Sequence, residues 1–204
     1  MISDRPLMNK NQGYLNLIIG PMFSGKSTRL IQYIRKYKTL GANLAVIKPS
    51  LDSRYTTNSE ICTHNHEKEN CIMYDKEYLI NIFNDPNYNT YEIVIIEEGQ
   101  FFTNLYECVK RMIDTDKKKV YISALNGDSN REIFGDIHKL VPLADNIEFL
   151  QALCIDCKDG SLAIFSKRII SDDNTQICVA GSDKYKAVCR NHYFCHYEHM
   201  IVID

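Results

Sequence analysis

Apolar and polar positions alternate along the chain in two rhythms. Residues 14–20, YLNLIIG, form a short apolar run that predicts a strand. The stretch KSTRLIQYIRKYKTLG at 26–41 spaces Leu30, Ile34 and Tyr37 at helical intervals and closes on Gly41, which predicts a helix. A second strand is predicted at 43–49 (NLAVIKP), followed by a polar loop over 50–70, a helix near 76–84 and a turn at NDPNYNT (84–90). A third strand, YEIVII (91–96), a helix, NLYECVKRMID (104–114), and a fourth strand, KVYISAL (119–125), continue the series. Strands alternating with helices predict an α/β fold with a mostly parallel sheet covered by helices. From about residue 150 the rhythm gives way to short strands between cysteines, which predicts a second, small lobe.

Length and composition narrow the class. A chain of 204 residues accommodates one sizeable core and a small extra lobe, and 45% hydrophobic with 25% charged residues is the balance of a folded globular protein. A formal net charge of −2 supplies no bulk field for a polyanion, so nucleic acid is not an expected partner and a phosphorylated ligand must be held by a local site. No apolar run approaches the roughly 18 residues that span a bilayer, and MISDRPLMNKNQGY at the N-terminus has no apolar signal core. The expected setting is therefore cytoplasmic, without a membrane partner. In that setting the eight cysteines read as thiols with a metal site among them rather than as a disulfide framework.

The strand ending at Gly20 runs into GPMFSGKST, which fits the phosphate-loop pattern G-x-x-x-x-G-K-[ST] through Ser27. Gly20 and Gly25 let backbone N–H groups turn toward a phosphate, Lys26 brings a cation to its outer oxygens, and Ser27 supplies a hydroxyl for Mg²⁺. The expected first ligand is a nucleoside triphosphate with Mg²⁺. The third strand ends on two adjacent acids, Glu97 and Glu98, in VIIEEGQFF. A buried carboxylate is costly without a cation or donor, and in phosphate-loop proteins an acid at the end of a core strand holds the metal. Side chains of neighbouring residues on an extended chain point apart, so one acid is free to face the metal and the other a second substrate; a pair simply solvated at a strand end is the other reading.

Cys154-Ile-Asp-Cys157 and Cys189-Arg-Asn-His192 each gather two soft ligands on a tight turn, and together they can close a tetrahedron around Zn²⁺. A lobe of about fifty residues has little core of its own, so the metal would act as a structural staple. A redox C-x-x-C or unrelated buried cysteines are the alternatives.

In chain order, LNLIIGPMFSGKST, VIKPSLDSRY, CTHN, IIEEGQFF, FGDIHKLVPLAD, the C-x-x-C at 154 and GSDKYKAVCRNH resemble the zinc-containing type II thymidine kinases of animal cells, many bacteria and large DNA viruses, over residues 14 to 193. The resemblance implies a RecA-like P-loop sheet with helices on both faces and a small C-terminal zinc ribbon carrying a lasso loop. It implies transfer of the γ-phosphoryl of ATP to the 5′-hydroxyl of thymidine or deoxyuridine, in a homotetramer inhibited by thymidine triphosphate. Glu98 matches the catalytic base. Gly20, Pro21, Met22, Phe23, Ser24, Gly25, Lys26 and Ser27 match the phosphate loop; Asp52, Ser53 and Arg54, with Glu97, Gly99 and Gln100, match further positions around the phosphates and metal. Gln176, Ile177, Cys178, Val179 and Ala180 match the lasso that reads the base by backbone hydrogen bonds, and Tyr185 its aromatic contact. Phe134 matches a ring beside the base, Met22 and Ser166 lie near the thymine methyl, and Phe101, Leu125 and Ser129 complete the nucleoside side. Without the resemblance the default reading of each aromatic is ordinary core.

Glu97 stands where many relatives carry Asp and is one methylene longer, which favours metal contact through water, and Ser129 stands where relatives often carry Phe. The implied organisation is a tail at 1–13, a nucleotide-binding domain at 14–149, a zinc lobe with lasso at 150–193 and a tail at 194–204. A phosphate-loop NTPase with a zinc ribbon, stimulated by nucleic acid, is the alternative function.

Overall fold

In a computed structural model the structure describes residues 11–50, 60–62, 68–75, 77–169 and 184–195. The chain enters the sheet through strand β1 (Tyr14–Gly20), then forms helix α1 (Lys26–Thr39) and β2 (Leu44–Pro49). Short strands β3 (Glu60–Cys62), β4 (Lys68–Asn70) and β5 (Ile72–Tyr74) precede β6 (Ile93–Ile96), helix α2 (Leu105–Lys110), β7 (Lys119–Leu125), helix α3 (Ile137–Leu140) and β8 (Asn146–Phe149). The main sheet runs β5-β2-β6-β7-β1-β8, and every pairing in it is parallel.

Parallel strands must be covered on both faces, and β1 and β6 show it: Leu15, Leu17, Ile18 and all four residues of β6 are fully buried. Their alternation sorts them onto two faces. Leu15, Leu17, Val94 and Ile96 pack with Leu105, Val109, Ile137 and Leu140 from α2 and α3. Ile18, Ile93 and Ile95 pack on the other face with Leu30, Ile31, Ile34 and Tyr37 of α1. The helical spacing read from 26–41 is therefore the buried stripe of α1, whose last turn carries Lys36 and Lys38 against the negative end of the helix dipole.

Three expectations are revised. The polar stretch 50–70 is not loop throughout: β3 and β4 pair as an antiparallel hairpin, Ile61 enters the α1 face of the core, and Glu69 binds Lys38 at 2.6 Å and Arg35 at 3.5 Å. The helix expected near 76–84 is a tighter 3₁₀ segment, Leu79–Asn84. The helix expected over 104–114 is α2, which widens into a π turn at Arg111–Thr115. Two edge strands, β5 and β8, add to the four expected ones. Strand β8 is tied down by polar contacts: Glu148 accepts from Asn16 Nδ2 (2.7 Å), Arg29 Nε (2.6 Å) and Tyr33 Oη (2.6 Å).

Beyond β8, β9 (Ala152–Leu153) pairs with β10 (Leu162–Ala163), and β11 (Phe165–Arg168) with β12 (Tyr185–Val188), before helix α4 (Arg190–Phe194). Their apolar cluster is small, built on Ala152, Cys154, Ala163, Ala187, Val188 and Tyr193. Among the described residues no helix is long and apolar enough to cross a membrane.

Candidate functional site

Parallel strands bring their C-terminal ends to one edge of the sheet, which is where α/β proteins bind ligands. Strands β6, β7 and β1 are neighbours, so the segments leaving Ile96, Leu125 and Gly20 converge there. The segment after Gly20 is a tight loop into α1, with left-handed backbone at Phe23 (φ 64°) and Gly25 (φ 84°). Gly20 is required by proximity, since a Cβ there would lie 2.3 Å from the Leu150 carbonyl oxygen and 2.8 Å from Ser24 Oγ. Lys26 is buried at the head of α1, and its Nζ donates to the Pro21 carbonyl at 2.8 Å, as does Ser24 Oγ at 2.8 Å. The lysine is thus folded back over the loop it closes. Ser27 follows it in the first turn, half-buried.

The two acids after β6 behave differently from an extended pair. Glu97 stays in the ladder, its N–H donating to the Ile47 carbonyl at 2.8 Å. Glu98 leaves it: its backbone is left-handed (φ 51°, ψ 45°) and it starts the 3₁₀ turn Gly99–Phe101. An L-residue in that region costs about 1–2 kcal/mol, so surrounding contacts must hold it. Gln100 is one of them. Its amide Nε2 donates to the Glu98 carboxylate, while its Oε1 accepts the Leu125 N–H at 3.1 Å, which ties the acid to the end of β7. Glu97 and Glu98 are 3% and 8% exposed, so both carboxylates lie where charge is expensive and directed contacts count most.

Around this edge the structure gathers apolar residues. Phe101 meets Phe134 edge-to-face at 5.4 Å between ring centres. Met22 and Tyr185 pack together with Phe23 and Leu125. Ser166 Oγ accepts the Met22 N–H at 2.9 Å, and Arg168 donates to the Tyr185 hydroxyl at 2.9 Å. Ser129 lies in the turn after β7, half-buried.

The third cluster is a set of side chains that could hold a metal ion. The donor atoms of Cys154, Cys157, Cys189 and His192 all lie within 4.8 Å of one another. His192 Nδ1 is 3.6, 3.2 and 3.4 Å from the sulfurs of Cys154, Cys157 and Cys189, and Cys157 Sγ is 3.7 Å from Cys189 Sγ. Bonds of about 2.3 Å to sulfur and about 2.0 Å to nitrogen give tetrahedral edges of about 3.5–3.8 Å, near these four separations, so the Cys₃His donor set is consistent with Zn²⁺. Burial raises the Cys154 thiol, but N–H groups of Cys189, Cys157 and Asp156 outweigh it and lower its pKa, while burial and the neighbouring Cys154 and Cys189 sulfurs push Cys157 up, so negative charge in the cluster settles first on Cys154.

The family model for thymidine kinase matches residues 13–193. The chain belongs to the thymidine kinase family. It is 38% identical over 183 residues to the thymidine kinase of Rabbit fibroma virus, covering 89% of this chain and 97% of that one. It is 36% identical over 184 residues to that of Vaccinia virus (90% of this chain, 98% of the relative) and 36% identical over 188 residues to thymidine kinase a of Arabidopsis thaliana (92% and 77%).

In this thymidine kinase family member the candidate residues fall into three groups. Gly20–Ser27 and Glu97–Phe101 follow the ends of β1 and β6 on one sheet edge, with β7 between those strands; Met22, Leu125, Ser166 and Tyr185 adjoin one another, and the cysteines and His192 form one cluster. Asp52, Ser53, Arg54 and Gln176–Ala180 lie outside the described residues, as do 1–10 and 196–204 of the two expected tails. Sequence reasoning missed the side chains that brace these parts, notably Asn126, whose Nδ2 donates to the Ile164 carbonyl at 3.2 Å, and Lys167, whose Nζ donates to the carbonyls of His192 (3.0 Å) and Tyr193 (2.7 Å). No local signal marks such residues, because their partners are distant in sequence.

Proposed function

We propose that the chain transfers the γ-phosphoryl group of ATP to the 5′-hydroxyl of thymidine, and of deoxyuridine, to give the monophosphate. The observation that carries this reading is the convergence of a lysine-closed phosphate loop and a buried, amide-held Glu98 on one sheet edge. Phosphoryl transfer passes through a loose transition state, so the protein chiefly positions the reactants and neutralises charge. Lys26, Arg54 and the loop N–H groups serve that need. Ser27 and, through water, Glu97 would hold the Mg²⁺ that accompanies ATP and offsets phosphate charge. Asp52, Ser53, Gly99 and Gln100 complete the ATP side in this proposal.

Glu98 orients the 5′-hydroxyl and takes its proton; the Gln100 amide fixes which carboxylate oxygen remains for that work. Met22, Phe101, Leu125, Ser129, Phe134, Ser166 and Tyr185 shape the nucleoside side, with Gln176–Ala180 closing over the base. The Cys154, Cys157, Cys189 and His192 set would hold Zn²⁺ as a structural staple that limits the freedom of the segment between its halves, lowering the ordering cost on binding. The same reading includes a nucleotide-binding domain at 14–149, a zinc lobe at 150–193, flanking tails, a cytoplasmic homotetramer, and feedback inhibition by thymidine triphosphate.

ATP consumption measured with thymidine, with single-stranded DNA and with neither tests it. Thymidine-dependent consumption yielding thymidine monophosphate is the expected result. Hydrolysis stimulated by DNA and indifferent to thymidine would instead identify a phosphate-loop NTPase with a zinc ribbon.

A further inference from the structure

The turn at 126–135 joins β7 to α3 and carries Ser129 and Phe134. It is internally stiff: the buried Asp128 accepts the N–H groups of Asn130 and Glu132 on one carboxylate oxygen, each at 2.8 Å, and its own N–H donates to the Glu132 carbonyl at 3.0 Å. A stiff turn moves as a unit, so its position depends on what holds its two sides. One side rests on the segment of Glu98. Phe134 packs edge-on against Phe101, and Gly135, at φ 61°, approaches Gln100 so closely that a Cβ would lie 2.3 Å from its carbonyl oxygen.

The other side is held by α4. The Tyr193 hydroxyl donates to the Ser129 carbonyl at 2.7 Å across 64 positions of sequence. The Arg131 guanidinium sits 4.6 Å from the centre of the Tyr193 ring and 4.7 Å from that of Phe194, in cation–π range. Arg131 adopts left-handed backbone (φ 67°), a conformation such contacts help to hold. Tyr193 directly follows His192, and α4 is fixed twice more, by Cys189 at its start and by Lys167 on the carbonyls of His192 and Tyr193. The metal-ligating cluster and the turn are therefore joined by one short helix.

We infer that Tyr193, assisted by Arg131, is a positioning residue for nucleoside binding: it transmits the placement of the Cys₃His helix to the turn that presents Ser129 and Phe134. The inference rests on the thymidine kinase reading above. It assigns the helix of the Cys₃His cluster a role on the nucleoside side, through a tyrosine that acts on the Ser129 carbonyl.

Tyr193→Phe tests it, because the ring stays for packing and for Arg131 while the hydroxyl donor is lost. The expected result is a rise of about 3- to 10-fold in KM for thymidine, the scale of one net hydrogen bond, with KM for ATP and kcat within about twofold of wild type and zinc per chain unchanged. Arg131→Gln, which removes the cation from the rings, is expected to shift thymidine KM the same way. An unchanged thymidine KM in both variants, a parallel rise in the ATP KM, or loss of zinc from Tyr193→Phe would overturn the inference. Wild-type protein that forms no thymidine monophosphate would defeat the kinase reading and this inference with it, whereas active wild type with both Tyr193→Phe and Arg131→Gln indistinguishable from it defeats the inference alone.

Discussion

The main sheet and the cysteine-bearing region after β8 are stabilised by different physics. The sheet buries two extensive apolar clusters, one on each face, with β6 and most of β1 fully out of water. The region from β9 to α4 has two-stranded pairings, a small cluster rich in alanine, and exposed Leu153, Ile155 and Leu162. At about 25 cal/mol per Å² of buried apolar surface, the described residues of the second region have less burial to set against their ordering entropy than the sheet has. The second has a Cys₃His cluster that could hold a metal ion. A fold that divides its stability this way can lose one half of its function-bearing edge while the other remains folded, which is the basis for the tests below.

Metal removal should separate the two regions most sharply. Structural Zn²⁺ contributes apparent free energies of about 10–16 kcal/mol in zinc-finger peptides, far above any single contact. Chelation, or Cys189→Ser, is expected to abolish the bound zinc, about one per chain, and to strip amide-exchange protection from 152–168 and 185–194 while β1, β6 and β7 stay protected. Full zinc occupancy in Cys189→Ser would show that these four residues are not the ligand set.

A smaller effect, confined to chemistry, is expected on the sheet side. Glu98→Gln should lower kcat by about 10²- to 10⁴-fold with little change in ATP affinity or thermal stability. Near-normal turnover would remove Glu98 as the base. The next effect in size is purely structural. Ile34→Ala opens space in the fully buried α1 face and should cost about 2–5 kcal/mol, read as a Tm lower by about 5–20 °C, without altering zinc content. Zinc loss on a par with Cys189→Ser would mean that the two regions unfold together, against the comparison.

The smallest effect concerns the edge strand β8. Burial raises the Glu148 pKa, but hydrogen bonds from Tyr33, Asn16 and Arg29 and the charge of Arg29 outweigh it and hold the carboxyl below its ordinary 4.5. A depressed folded-state pKa contributes stability above the unfolded value and loses it as pH falls through the folded one. Thermal stability should therefore fall with acid below about pH 4.5, and Glu148→Gln should cost about 1–3 kcal/mol at neutral pH while flattening that acid limb. An unchanged acid limb in the variant would assign the pH response to other carboxylates.

Much of the molecule was legible from local signals because the physics there is local. The phosphate loop needs glycines and a lysine at set spacing, a C-x-x-C turn brings two sulfurs together unaided, and four strands and α1 declare themselves by apolar runs and helical periodicity. Strands of three or four residues do not. The strands β3 and β4 sit in a polar stretch where, among the described residues, only Ile61 is fully buried, and β8 reads Asn-Ile-Glu-Phe, too short to establish a period. Both exist because distant groups hold them, Glu69 with α1 and Glu148 with Asn16, Arg29 and Tyr33.

By itself the amino-acid sequence marked the candidates for chemistry: the loop of Gly20 to Ser27, the acids Glu97 and Glu98, and the two cysteine-bearing pairs. Only the tertiary structure decided their attitudes. Glu98 turns out of the ladder into left-handed backbone, against the expectation of an extended pair, because Gln100 reaches from its carboxylate to the Leu125 N–H on the next strand. The turn of Ser129 is likewise placed by Tyr193, 64 residues away. A motif encodes contacts that close within a few residues, whereas a side chain held against its local preference is held by partners that become neighbours only when the chain has folded.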